Sequence, residues 1–307
     1  MLNALDADRG NIKMAVRGIV TRAGKAIARS SEHVLPEFLL IFIFIMRRHK
    51  RRFGVFPNVF FPKTFNEKVL CRMLFDRRPI LPQLEDKYAV RDYVKQKVGD
   101  HILPAWYFVT NDPSTIPFDD LPEKFVVKPT HGSHWVRLVP DKALLNRDEL
   151  METCRSWLTQ NYFDLTREWA YRHIQPRIAV EEFISDGTGP VPTNYRLFVF
   201  GGRVELILTD VGTSPNRAFA YYSRSWDKLR IPTRHKDVEV LRPKQLDVMV
   251  RYAEILGGDL DFVRVDLYCA QDKVYFGEAT TIPMSGLSPY PRDIDLYFGS
   301  LWKLEVR

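Results

Sequence analysis

Residues 262–281 constrain this chain more than any other stretch. They read F-V-R-V-D-L-Y, a polar turn, then V-Y-F-G-E-A-T-T. On a strand, alternate residues share a face. Arg264, Asp266 and Tyr268 therefore point one way, and Val263, Val265 and Leu267 point into a core. Strict alternation on the return strand puts Val274, Phe276 and Glu278 on one face. A hairpin turning on Gln271-Asp272-Lys273 sets Asp266 opposite Glu278. Two carboxylates that close repel each other and need a proton or a cation between them. Two hard oxygen ligands, with positions left for phosphate oxygens, suit Mg²⁺. The plainer alternative is a surface pair answered by Arg264 alone. The apolar strands around the motif argue against it.

A second motif, F-V-V-K-P-T-H-G-S, ends at Ser133. Lys128 closes an apolar strand, where a half-buried ammonium requires an anion. The loop after it offers backbone N–H groups and Gly132, which suits a phosphate. It does not match the G-x-x-x-x-G-K-[ST] phosphate loop, and a surface lysine is the plainer reading. His131 and His134 are read as loop residues with hydrogen-bonding or substrate roles, since no third metal ligand of that kind accompanies them. A third motif is Glu181-Glu182-Phe183-Ile184. A strand exit with aromatic and aliphatic neighbours can hold an adenine ring; a solvated strand end is the default.

The remaining pattern mixes helices and strands without strict alternation, so the fold class is α+β. Helices are expected over 66–77, opened by Thr64 or Asn66, over 86–98, and from an Asn146 cap to about Gln160. An amphipathic helix is expected over 243–256, and a terminal one over 296–304. Strands are expected over 105–110, 125–128, 136–139 and 178–184. Gly201-Gly202 marks a hairpin between 195–200 and 204–210.

With 45 basic and 38 acidic side chains, the net charge is +7. That suits a phosphate-rich ligand, an acidic polymer or an anionic surface. No dense basic stripe or docking module points to nucleic acid. Cys71, Cys154 and Cys269 are odd in number and far apart, which fits a reducing cytoplasmic compartment. No secretory signal is read at the N-terminus. The one strongly apolar run, Phe38 to Met46, is too short for a bilayer core, which takes about 20 residues. The basic cluster from Arg47 to Arg52 follows it. We read a buried helix with a solvated basic end. The alternative is peripheral contact with the inner face of the membrane.

The lysine strand, the V-E-E-F strand, then R-V-D and G-E-A-T in this order resemble the ATP-grasp superfamily of carboxylate–amine ligases. The closer resemblance is to its TupA-like branch, similar to the teichuronopeptide biosynthesis protein of surface-polysaccharide loci. The residues that carry it include Pro62 to Lys68, Asp86 to Arg91, Lys128 with His131-Gly132-Ser133, Glu168-Trp169, Tyr171, Pro176 to Ile178, Glu181-Glu182, 262–268 and 275–281.

The resemblance implies an ATP-grasp fold of two α+β subdomains with a helical N-terminal extension. The expected divisions are a basic extension over 1–60, a preceding region over 61–122, a nucleotide-binding subdomain over 123–190 and a metal-binding subdomain over 191–307. It implies ATP and Mg²⁺ as cofactors. Lys87 and Lys128 would hold phosphates, with His131, Gly132 and Ser133 in the phosphate loop. Glu181, Glu182, Phe183 and Ile184 would hold adenine and ribose. Asp266 and Glu278 would bind Mg²⁺, and Arg264 would stabilise a tetrahedral intermediate. The implied activity is amide formation through an acyl phosphate, between an amine and a small-molecule or polysaccharide-linked carboxylate. Two departures from the family pattern stand out. Thr280 stands where many ATP-grasp enzymes have the Asn of a Glu-x-Asn pattern at the second metal strand, and the loop H-G-S-H-W is poor in glycine. They motivate two alternatives: a nucleotide-binding scaffold of a polysaccharide-assembly complex, or a kinase that stops at phosphoryl transfer.

Overall fold

The computed structural model describes residues 37–187, 189 and 191–305. Most of the expected extension, residues 1–36, lies outside the described residues. The chain divides into two compact units, one ending at Phe56 and one beginning at Pro57.

In the first unit the apolar run lies within one helix, α1 (Glu37–Phe53). It buries Ile41, Phe42, Ile43, Ile45 and Met46 and leaves Arg47, Lys50, Arg51 and Arg52 exposed. No helix among the described residues is long and apolar enough to cross a membrane.

The second unit opens with α2 (Phe65–Phe75). The cap is Thr64: its hydroxyl accepts from the Glu67 N–H at 3.1 Å, and Glu67 Oε2 accepts from the Thr64 N–H at 3.1 Å. This reciprocal pair satisfies two otherwise orphaned donors. Asn66, the other candidate cap, instead bonds the Ser288 backbone through both side-chain atoms. Next come α3 (Ile80–Glu85) and α4 (Ala89–Lys97). The sequence reading missed α3 and began α4 three residues early. Asp86 Oδ1 accepts from the Tyr88 N–H at 2.8 Å, an Asx-type turn that breaks the helix there. Lys87 therefore stands on a tight turn, not within a helix.

One antiparallel sheet contains β1 (Trp106–Thr110), β2 (Phe125–Pro129), β3 (Arg137–Val139) and β4 (Ile178–Glu182), in the order β1-β4-β2-β3. Between β3 and β4 lie α5 (Arg147–Leu158), capped by Asn146 as expected, and the short α6 (Tyr162–Thr166). Leu150, Cys154 and Trp157 of α5 pack on Phe125, Val127, Ile178 and Val180 of the sheet.

The larger sheet is built from β5 (Asn194–Phe200), β6 (Arg203–Val211), β7 (Ala218–Ser223), β8 (Lys228–Leu229) and β9 (Lys236–Asp237). After α7 (Leu246–Gly257), β10 (Phe262–Ala270) and β11 (Lys273–Thr280) complete it. The order is β11-β10-β5-β6-β7-β8, with β9 beside β7. The chain then forms α8 (Arg292–Leu301).

Both faces of this sheet are covered. Leu197, Val199, Val263, Val265 and Leu267 pack with Val90 and Val94 of α4 and with Met249, Ala253 and Leu256 of α7. On the other face, Phe65 of α2 contacts Phe198, Phe262, Phe298 and Trp302. Phe262 shares that face with Arg264, Asp266 and Tyr268, so the charged residues emerge from an aromatic layer. Arg72 fixes the hairpin from behind. Fully buried, it donates to the Phe262 and Thr281 carbonyls at 2.9 and 3.0 Å and to Asp261 Oδ1 at 2.6 Å.

Candidate active site

β10 and β11 join through a two-residue turn, Gln271-Asp272, with φ of 52° and 59°. Positive φ at both central residues is the tight hairpin geometry. The sequence reading assumed a three-residue turn. With the shorter turn, an unbroken ladder would set Gly277 opposite Asp266. A bulge after Asp266 restores Glu278 to that position. A bulged residue also resets alternation. Val274 and Phe276 consequently face the core, and only Glu278 faces the site. The bulge thus splits the face that Val274, Phe276 and Glu278 were expected to share.

A row of charge crosses three strands: Arg196 on β5 pairs with Asp266 on β10, which pairs with Glu278 on β11. Arg264 lies beside the row. Its Nε donates to Asp266 Oδ1 at 2.6 Å, and its Nη2 donates to Asp266 Oδ2 and Glu278 Oε1, both at 2.8 Å. The plainer reading was half right. Arg264 does answer both carboxylates, but it is buried with Asp266, which is at 0% exposure, and only Glu278 is partly exposed. Burial would raise Glu278, but Arg264 and then Lys87, Arg196 and Lys128 hold it down at about 2. Burial raises Asp266 despite Arg264. Asp266 and Glu278 raise Arg264 above its ordinary value, although burial opposes them.

A cleft of about 420 Å³ opens over this row. Lys87, Lys128, Ser133, Glu181, Glu182, Phe183, Ile184 and Glu278 all line it. Eight of the sequence-selected residues thus share one cavity. β4 ends at Glu182, so Phe183 and Ile184 line the wall outside the ladder, in the same cavity as apolar Val126 and Leu138. Lys128 donates to Glu181 Oε1 at 2.5 Å, and Trp106 Nε1 donates to Glu181 Oε2 at 3.1 Å. Lys87 Nζ donates to the Gly132 carbonyl at 2.6 Å, and burial lowers its pKa.

His131 does not reach the cleft. It is 2% exposed, and its Nε2 is 3.0 Å from the Trp157 carbonyl, so it fastens the loop to α5. His134, at φ 66°, does line the cleft. Burial lowers it, and Arg196, Arg217 and Arg264 add to that against Glu278.

Sequence reasoning passed over Asn194, Arg196, Asp210 and Arg217, which line the same cavity. The signal was present for two of them. N-Y-R-L-F-V-F carries polar Asn194 and Arg196 at alternate positions of an otherwise apolar strand, the pattern that singled out Arg264 and Asp266. Glu85 was also missed. Fully enclosed, it accepts from the Thr281 N–H and hydroxyl at 2.8 and 2.6 Å and from the Tyr171 hydroxyl at 2.7 Å. It ties the turn bearing Lys87 to the end of β11.

The donor set fits a hard divalent cation. Glu278 keeps a third of its side chain exposed to the cleft, while both oxygens of buried Asp266 accept from Arg264 and would have to be shared with a metal. No group of three or more His, Cys, Asp or Glu that could hold a metal occurs among the described residues. Mg²⁺ commonly takes one or two protein carboxylates and completes its shell with water and phosphate.

The family model described as TupA-like ATPgrasp matches residues 67–303. No curated protein matches the chain. Among solved structures, a D-alanine–D-alanine ligase from Bacillus anthracis, complexed with ATP, is 17% identical. The match covers 66% of this chain and 54% of that one, at a TM-score of 0.39. The ATP-grasp ligase PsnB with a minimal precursor is 16% identical, covering 73% and 60%, at 0.42. The ADP complex of purK, N5-carboxyaminoimidazole ribonucleotide synthetase, is 11% identical, covering 67% and 47%, at 0.45. The chain thus spans roughly half of these enzymes' lengths.

Proposed function

The chain belongs to the TupA-like ATPgrasp family, and we propose that it is an Mg²⁺-dependent carboxylate–amine ligase that consumes ATP. The observation that carries this reading is Glu278 on the wall of the cleft that Lys87 and Lys128 also line, backed by buried Asp266 across the ladder and by Arg264, which bonds both carboxylates. Phosphoryl transfer depends mostly on positioning and charge stabilisation, and these residues supply both.

In this reading Phe183 and Ile184 hold the adenine, and Lys87 and Lys128 hold the phosphates, with Gly132 and Ser133 in the loop above. Asp266 and Glu278 hold Mg²⁺, which neutralises phosphate charge when bound. A substrate carboxylate oxygen bonds to the γ-phosphorus as the bond to ADP breaks. The amine nitrogen then attacks the acyl carbon, inorganic phosphate leaves, and the nitrogen loses a proton. Arg264 faces the negative charge that develops on the carbonyl oxygen. A fixed guanidinium in an enclosed site lowers such a barrier by roughly 3 kcal/mol.

The acid is a uronic acid or amino acid, free or linked to a surface polysaccharide, and the work is cytoplasmic. The exposed Arg47, Lys50, Arg51 and Arg52 of α1 form a solvated basic end that would also suit anionic lipid at the inner face of the membrane. Hydroxylamine tests the chemistry. With ATP, Mg²⁺ and the acid it should trap the acyl phosphate as a hydroxamate. ADP release without hydroxamate would instead mark a kinase.

One observation favours a second reading, a nucleotide-binding scaffold without turnover. Thr280, where the family pattern has a metal-ligating Asn, is 3.0 Å from Arg264 Nη2. Silence in both assays while ATP still binds would select it.

A further inference from the structure

Amide formation strips protons from the amine nitrogen, and nearly every acceptor on the cleft wall is committed elsewhere. Glu181 accepts from Lys128 and Trp106, Glu182 from the Ala105 N–H at 3.0 Å, Asp210 from Arg196 and Arg217, and Glu278 from Arg264. Lys87 Nζ donates to the Gly132 carbonyl. Burial raises Tyr268, which keeps its proton. The exception is His134. It is exposed on the same wall, and its imidazole makes no hydrogen bond among the described residues.

The backbone at His134 has φ 66°, a left-handed conformation that suits glycine best. The loop around it is braced. A Cβ on Gly132 would meet Trp135 Cε3 at 2.6 Å, so the indole lies against the chain there. That ring packs on His131 and Tyr162, with centroids 5.8 and 5.7 Å away, and His131 is fastened to α5. A position suited to glycine, on a braced loop, thus holds an imidazole at the cleft.

The charges around it are mixed. Burial lowers its pKa; Glu278 on β11 opposes that, and Arg196 on β5, Arg217 before β7 and Arg264 on β10 add to it. Asp210 and Asp266 share those arginines and temper them. Lys87 and Lys128 line the same cleft with the sign of the arginines. A cation on Glu278 would act in the same direction as they do. The ring is therefore neutral at pH 7, with a lone pair to offer.

We propose that His134 is the general base of the amide step, taking the proton that frees the amine nitrogen to attack. The inference rests on the ligase reading and supplies a group which that reading lacks. A bound ammonium gives one proton to the imidazole, which releases the nitrogen lone pair. The lone pair bonds to the acyl carbon, and the carbonyl electrons shift to the oxygen that Arg264 faces. They return as the carbon–oxygen bond to phosphate breaks. The nitrogen's second proton leaves on the phosphate, and the imidazolium passes its own to water.

His134→Gly tests this without straining the backbone, and circular dichroism checks the fold. The full chain is assayed at pH 7 with ATP, MgCl₂ and L-glutamate or D-glucuronate. One arm contains hydroxylamine, which is largely unprotonated at pH 7 and traps an acyl phosphate without a base. The other contains ethylamine, ethanolamine or L-lysine, whose alkyl amines are mostly ammonium there. His134→Gly should lower amide formation at least a hundredfold, as loss of a general base does, and hydroxamate less than fivefold. Added imidazole, small enough to enter the cleft, should restore at least a tenth of the wild-type amide rate. The proposal is overturned if His134→Gly forms amide normally, if imidazole restores nothing, or if hydroxamate and amide fall together. The last result would place His134 in phosphoryl transfer. Wild type that gives hydroxamate but no amide overturns the base while the acyl phosphate stands. Wild type that gives neither product overturns the ligase reading, and the base with it.

Discussion

Asp266 stands across β10 and β11 from Glu278 because Gly277 is the extra residue of a bulge. A Cβ on Gly277 would lie 2.8 Å from Tyr268 Cε2 and 3.1 Å from the Asp266 carbonyl oxygen. Both neighbours belong to the site, so any side chain here presses on the strand that holds Asp266. Gly277→Ala should destabilise the protein by about 1–3 kcal/mol, as overpacking does. It should also weaken Mg²⁺-dependent ATP binding beyond that of an equally destabilised core variant. Urea unfolding and calorimetry measure the two effects. Native stability with native binding would mean that the bulge does not set the pair.

The carboxylates themselves give a sharper test of the metal assignment. Asp266→Asn and Glu278→Gln preserve shape and remove charge. Each should retain the fold and reduce Mg²⁺-dependent ADP formation at least a hundredfold. Normal turnover by both variants would sink the assignment.

Much of this site was legible in the sequence, for a definable reason. Alternation on an apolar strand marks a polar side chain as facing something, so Arg264, Asp266 and Lys128 could be read directly. The Asp266–Glu278 pairing was also reached, but through a wrong turn. The assumed third turn residue and the unseen bulge each shift the ladder by one, which preserves the pair while misplacing Val274 and Phe276. Strand alternation carries no information about bulges. The Asp210 cluster was out of reach for a different reason. Asp210 and Arg217 lie at the two ends of the β6–β7 connection, and only the sheet order brings them to Arg196. The turn around Lys87 escaped because Asp86 competes for the local backbone, which helix periodicity alone does not register.

Glu278 also makes stability depend on pH. Its folded value, about 2, lies below its ordinary 4.5. A depressed carboxyl contributes stability that is fully present above the unfolded value and is lost as pH falls through the folded one. Wild type should therefore exceed Glu278→Gln in Tm at pH 6, and the gap should narrow from about pH 4.5 down to about 2. Thermal unfolding at pH 6, 4 and 3 follows it. A gap that stays constant would show that the Arg264 and Lys87 charges do not act on Glu278.

The two cleft lysines should part company on mutation, because their partners differ. Lys128 is paired with Glu181, and their side chains are 17% and 10% exposed. Lys128→Met leaves Glu181 with only the Trp106 N–H. An under-satisfied, largely buried carboxylate costs about 1–3 kcal/mol. That variant should lose both stability and ATP affinity. Lys87 donates to a carbonyl, and its burial opposes its charge. Lys87→Met removes a desolvated ammonium together with one hydrogen bond and its charge on Glu278; these effects oppose each other, so unfolding should change less than in Lys128→Met while ATP affinity falls. Adding Glu181→Gln to Lys128→Met should restore stability, since no charge is then stranded, without restoring ATP binding. Paired urea titrations and ATP calorimetry on these variants separate the roles. Equal destabilisation by both single variants, or unchanged ATP affinity in both, would return the lysines to ordinary structural side chains.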